Sequence, residues 1–109
     1  MTTRPPAHLS ARGRALWQRV VAEFVLEPHH LAILGAACEA QDRMAEARAA
    51  VKRDGAYVDG RFGLKAHPAL AVERDSRLAL VRCLGALGLD YEATSARERT
   101  RAARAARWQ

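Results

Sequence analysis

The segment from Pro28 to Gly55 constrains the fold more than any other part of the sequence. It holds no internal proline, and Ile33, Ala37, Ala40, Met44, Ala47 and Val51 recur at spacings of four and three. That period is a seam along one side of a long helix, and its alanines allow close approach of a neighbour. The spacing predicts a helix over 28–54. Pro28 suits its first turn, where the missing N–H would be unpaired anyway, and Gly55 is the natural stop after Lys52, Arg53 and Asp54. The seam is either a packing line within the chain or a contact between copies. Leu31, Leu34 and Cys38 widen the apolar surface of the first half.

Shorter elements flank this helix. Residues 1–8, with Pro5 and Pro6, read as an irregular N-terminal arm. Ser10 is a candidate N-cap, its hydroxyl accepting from first-turn amides. The helix after it, about 11–25, places Leu16, Trp17, Val20, Val21 and Phe24 on one stripe. Tyr57-Val58-Asp59-Gly60-Arg61-Phe62 is the one strong strand signal, with Asp59-Gly60 as a type I′ turn and the hairpin spanning about 56–65. His67-Pro68 opens a third helix, about 67–87, with Leu70, Leu78, Val81, Leu84 and Leu87 expected on its buried side. His67 serves there as a substitute N-cap or a local packing residue. Gly88 caps this helix, and Leu89 folds back on its last turn. The expected fold is mainly α: helix, long helix, short β-hairpin, helix, then a basic irregular or helical tail. The core domain is residues 9–90 and the tail 91–109.

Length and composition bound the energetics. A chain of 109 residues fits one domain. Half its residues are apolar, but 24 of them are alanine. At roughly 1.5–3 kcal/mol per fully buried large side chain, such a core is thin for an isolated subunit, and self-association is expected. No run of apolar residues is long enough to span a membrane, and no basic-then-apolar leader opens the sequence.

The net charge of +6 is unevenly placed. Residues 1–14 and 93–109 are both strongly basic, while the body between them is close to neutral. Basic ends on a compact body point to a polyanion, most often nucleic acid. Arg12 and Arg14, with Arg19 nearby, are candidate phosphate contacts at the first helix. Arg97, Arg99, Arg101, Arg104 and Arg107 are candidates in the tail. Arg61 and Lys65 add a smaller basic point on the hairpin. An arginine- and alanine-rich tail is also what a GC-rich genome writes into an unconstrained segment, so both readings stand. Trp17 reads as a core anchor, and Trp108 as a partner hook or a free end.

Catalytic and cofactor signals are missing. There is no Gly-rich phosphate loop and no nucleophile-elbow serine. His29 and His30 are adjacent and form no ligand spacing with Cys38, so they read as exposed imidazoles in a helix first turn. No metal and no cofactor are expected. Cys38 and Cys83 read as small buried apolar groups.

The ordered words Leu9-Ser10-Ala11-Arg12-Gly13-Arg14-Ala15-Leu16-Trp17, Glu27-Pro28-His29-His30-Leu31, Ala36-Ala37-Cys38-Glu39-Ala40, His67-Pro68-Ala69-Leu70 and Leu87-Gly88-Leu89-Asp90 resemble the small terminase subunits of tailed bacteriophages and prophages. The resemblance covers about residues 9–90. It implies a non-catalytic DNA-packaging factor in the cytoplasm of a bacterial host. Such a factor assembles as a ring, binds double-stranded viral DNA and delivers it to the large subunit, which holds the ATPase and nuclease. The sequence departs from the family pattern in Asp90-Tyr91-Glu92 after the Gly-Leu turn, in its short tail, and in having no helix-turn-helix signature. The alternatives are a dimeric helical DNA-binding transcriptional or nucleoid regulator, and a protein-interaction module whose tail binds an acidic partner.

Overall fold

The computed structural model describes residues 3–89. Three helices and one hairpin follow in order: α1 (Ala11–Glu23), α2 (Pro28–Asp54), β1 (Tyr57–Gly60), β2 (Gly63–Ala66) and α3 (Ala69–Ala86). The basic tail, with its five candidate arginines and Trp108, lies outside the described residues.

The long helix has the predicted bounds. Pro28 occupies its first turn, and Glu27 and His30 form a reciprocal capping box. In that box the Glu27 N–H donates to His30 Nδ1 at 3.2 Å. At the other end the Gly55 N–H donates to the Val51 carbonyl at 2.7 Å. Gly55 has φ 88°, a region open to glycine at low cost.

Helix α2 is the shared element, with α1 against one side and α3 against another. Towards α1, Leu34 and Cys38 are fully buried and join Leu9, Trp17 and Val20 in the core cluster. Leu16, Phe24 and Leu31 pack around them, and so do Leu87 and Leu89 from the end of α3. Burial pushes the Cys38 thiol up to about 11, which leaves it inert at neutral pH. Cys83 is only half-buried, unlike the full burial expected. Towards α3, the seam residues Ala37, Ala40, Met44 and Ala47 are buried, and Ile33 and Val51 half-buried, within the single chain. The two helices run antiparallel: Arg48 near the end of α2 pairs with Glu73 near the start of α3 at 3.2 Å.

The contact side of α3 agrees with expectation at Leu84 and Leu87, which are half-buried, and differs from it earlier in the helix. Leu70, Leu78 and Val81 were assigned to the core, yet they are 36%, 47% and 57% exposed. The half-buried line is instead Ala69, Glu73, Ser76, Leu80, Cys83 and Leu87. Its spacing of four and three repeats the spacing of the α2 seam. The two seams pair like a short coiled coil in which small residues alternate with larger ones, while Leu70, Val72, Leu78 and Val81 stay outside.

The hairpin also differs in register. Tyr57 faces Ala66, Val58 faces Lys65, Asp59 faces Leu64, and Gly60 faces Gly63. The turn is therefore Arg61-Phe62, two residues later than Asp59-Gly60. Neither turn residue has positive φ, whereas Gly63 does, at 114°. A type I′ turn needs positive φ at both central residues, so this turn is not type I′. Gly60 serves close strand approach: a Cβ there would lie 2.9 Å from the Gly63 carbonyl oxygen.

Local caps complete α3. His67 Nδ1 accepts the Ala69 N–H at 2.9 Å, so His67 is the substitute cap. Its Nε2 bonds the Asp54 carboxylate at 2.9 Å, tying the end of α2 to the start of α3. Arg53 first, and then His67, hold the Asp54 carboxyl well below the usual carboxylate range. At the far end Gly88 (φ 75°) and Leu89 form the predicted Schellman closure. The Leu89 N–H donates to Leu84 at 2.7 Å and the Gly88 N–H to Gly85 at 2.9 Å.

The most consequential polar contact joins α1 to α2. Asp42, only 3% exposed, points from α2 into the first turn of α1. Its carboxylate accepts the Ser10 N–H at 2.7 Å and the Gly13 N–H at 2.8 Å, and the Ser10 hydroxyl donates to it as well. Ser10 is thus a donor here, not the accepting cap expected of it. Asp42 supplies the acceptor from another helix, and its charge suits the positive end of the α1 dipole. Burial alone would raise its pKa; the Ser10 and Gly13 bonds outweigh that and hold it below the usual value. Gly13 has no side chain for a steric reason: a Cβ there would sit 2.7 Å from both carboxylate oxygens.

Asp42→Asn is expected to cost about 1–3 kcal/mol in urea unfolding at pH 7, because it weakens charged hydrogen bonds at a buried site. The native pKa lies below the unfolded one, so the contribution is complete above pH 4 and fades as pH falls through the native value. The wild-type and variant curves should therefore converge in acid. Gly13→Ala should destabilise by a similar amount at pH 7.

Candidate nucleic-acid interface

Most of the candidate residues that the structure describes sit on α1 and the arm before it, while Arg61 and Lys65 lie exposed on the hairpin. Arg12 and Arg19 are exposed and seven residues apart, so they share one face of α1. With Ala15, Leu16 and Gln41 of α2 they line a shallow groove. Among the described residues neither arginine has a carboxylate partner. Arg14 is turned differently: its guanidinium donates to the Leu9 carbonyl at 3.2 Å and helps to fasten the arm. Arg4 lies exposed on that arm. The structure therefore brings Arg12 together with Arg19 and separates Arg14 from them.

Three acids of α2 have partners of their own. Asp42 is consumed by the α1 cap, and Glu39 pairs with His8 at 3.1 Å. Glu46 pairs with Arg43. Because Asp42 already fills the N-terminus of α1, that helix end offers no phosphate site from its backbone. Anion contact on this face must come from arginine side chains. Gln41 was absent from the sequence reading, since only the α1–α2 packing carries it to the groove.

Other features of the surface are chemically plain. His29 and His30 lie with ring centroids 4.1 Å apart, and His29 sits 3.7 Å from Glu27. Among the described residues no three His, Cys, Asp or Glu side chains gather where a metal could be held. Trp17 is 5% exposed and belongs to the core, so it is no stacking platform. No helix among the described residues is long and apolar enough to cross a membrane.

Arg12→Ala and Arg19→Ala, singly or together, should leave stability within about 0.5 kcal/mol of wild type, since neither side chain holds a carboxylate partner among the described residues. Chemical denaturation at pH 7 checks this.

The apolar surface missed by the sequence reading lies at the other end. Phe62, Leu64 and Tyr57 of the hairpin are 94%, 74% and 69% exposed. Leu70 at the start of α3 is also exposed, at 36%. Their exposure could not be read from alternation alone, because it depends on what the hairpin fails to pack against.

Against known proteins, residues 13–105 match the family model described as phage terminase, small subunit. No curated protein and no solved structure matches the chain. The family match runs from the first turn of α1 through both seams and the hairpin, and the chain belongs to the phage terminase small-subunit family.

Proposed function

We propose that the protein is a non-catalytic DNA-binding subunit of a phage packaging machine, acting as a homo-oligomer. It binds double-stranded viral DNA and passes it to the large subunit, which carries the ATPase and nuclease. The observation that carries the DNA contact is the pair Arg12 and Arg19, exposed on one face of α1 without a carboxylate partner among the described residues. The basic stretch 93–109 adds Arg97, Arg99, Arg101, Arg104 and Arg107 to the same charge balance. The regulator alternative is not favoured by the family.

Affinity on this reading is mostly electrostatic. Each arginine on a phosphate releases a counterion and adds about 0.9 to the slope of log affinity against log salt. A closed assembly presents several copies of the pair to one duplex, so contacts weak in one subunit combine. A ring is the expected form, since a subunit with a thin core and open apolar surface gains by burying that surface on its neighbours.

The test is DNA affinity across a salt series. The wild-type slope should be steep, and Arg12→Ala/Arg19→Ala should lower it by about 2 for each subunit in contact. Removal of residues 93–109 should lower it further. A slope near zero for the wild type contradicts the proposal.

A further inference from the structure

The exposed hairpin tip and an open cleft on the same chain fit each other. Phe62 stands at a tight two-residue turn and is 94% exposed. The Arg61 guanidinium lies 5.5 Å from its ring centroid. A Cβ on Gly60 would also come within 3.0 Å of the Lys65 side chain, so the strands close tightly just behind the tip. The ring is thus held out on a short, narrow arm rather than on a loose loop.

The cleft lies where the end of α2 meets the start of α3. Val51 and Leu70 form its apolar walls, with Arg48, Lys52 and Glu73 around them. Its volume is about 260 Å³. An apolar cavity of about 150 Å³ is enough for benzene, so the cleft has room for a phenyl ring. The chain does not fill it with its own Phe62, which stays in solvent.

We propose that Phe62 of one copy seats in the α2–α3 cleft of the next copy, a head-to-tail contact that builds the assembly. This rests on the homo-oligomer reading above. Knob and cleft are different patches of one surface, which is what a heterologous contact requires, and such contacts close into rings when the rotation permits. The surrounding surface supports the same occupant. Tyr57, Asp59 and Leu64 share one face of the hairpin. Asp59 is exposed and without a partner among the described residues, and Lys52 on the cleft is likewise exposed and unpartnered. Seating the tip brings these two opposite charges to one boundary. Tyr57 and Phe62 contribute about 150–250 Å² each when buried. Leu64 adds to the apolar area on the hairpin side, and Leu70, Leu78 and Val81, 36%, 47% and 57% exposed, add to it on the α3 side. A duplex offers no apolar wall of this kind to three neighbouring large side chains.

The experiment uses full-length chains with Cys83→Ser; buried Cys38 stays. Phe62→Cys and Leu70→Cys are made separately and mixed, then oxidised. The expected result is a cross-linked pair in the mixture and none in either variant alone. Combining both substitutions in one chain should give a ladder of covalent multimers. Phe62→Asp should reduce the native mass to one or two chains with the melting temperature of the subunit fold unchanged. A Phe62→Asp protein that keeps the wild-type mass overturns the contact and leaves the homo-oligomer reading standing. Loss of DNA affinity at unchanged mass also overturns it, and assigns the tip to DNA. A cross-link formed only within single chains overturns it as well. A wild-type chain that is monomeric throughout removes the homo-oligomer reading itself.

Discussion

A buried carboxylate holds this small fold together. Asp42 projects from the middle of α2 into the open N-terminus of α1 and satisfies two backbone donors and one hydroxyl there. Without it α1 would have no side-chain cap, since the Ser10 side chain supplies no accepting bond. The same contact sets how the α1 stripe lies on α2. Trp17, one helical turn beyond Gly13, then reaches the space beside Leu34 and Cys38. The placement of Arg12 and Arg19 follows, because a helix fixed by one end and one stripe leaves its remaining face to solvent. The fold also uses up its own anion site in this way: the positive end of α1 holds Asp42.

The second constraint is the size of the seam residues. Alanine at positions 37, 40 and 47 of α2, and Ala69, Ser76 and Cys83 on α3, bring two helices close while burying little apolar area. Leu70, Val72, Leu78 and Val81 of α3 are left on its outer side, exposed. A chain with this arrangement keeps apolar area in reserve. The proposed contact between copies would bury it, which connects the thin core of the subunit to the proposed assembly.

Much of this was legible in the sequence wherever one residue carries an unambiguous backbone meaning. Pro28 and Gly55 marked the ends of α2, and Gly88 with Leu89 marked the end of α3, because each acts through local geometry. The α2 seam was legible because apolar residues trace it. The α3 seam was not, since Glu73 and Ser76 interrupt it and the bulky residues beside it draw attention to the wrong side. The hairpin turn was misplaced because Asp-Gly is a strong turn signal, whereas here Gly60 answers a need for strand proximity and Gly63 supplies the positive φ. Asp42 carried no local signal: its partners are about thirty residues away, and only tertiary packing makes it a cap. For the same reason Arg14 could not be separated from Arg12 by sequence, since its turn towards the Leu9 carbonyl depends on the path of the arm.

The proposed function joins two features of this subunit, arginines without a carboxylate partner among the described residues and apolar side chains left exposed. Membership of the phage terminase small-subunit family fits that design. Native mass spectrometry of the full-length protein at moderate salt, with and without duplex DNA, tests this most directly. The account predicts a single closed oligomer of defined subunit number that retains the duplex. A monomer both with and without DNA would contradict it.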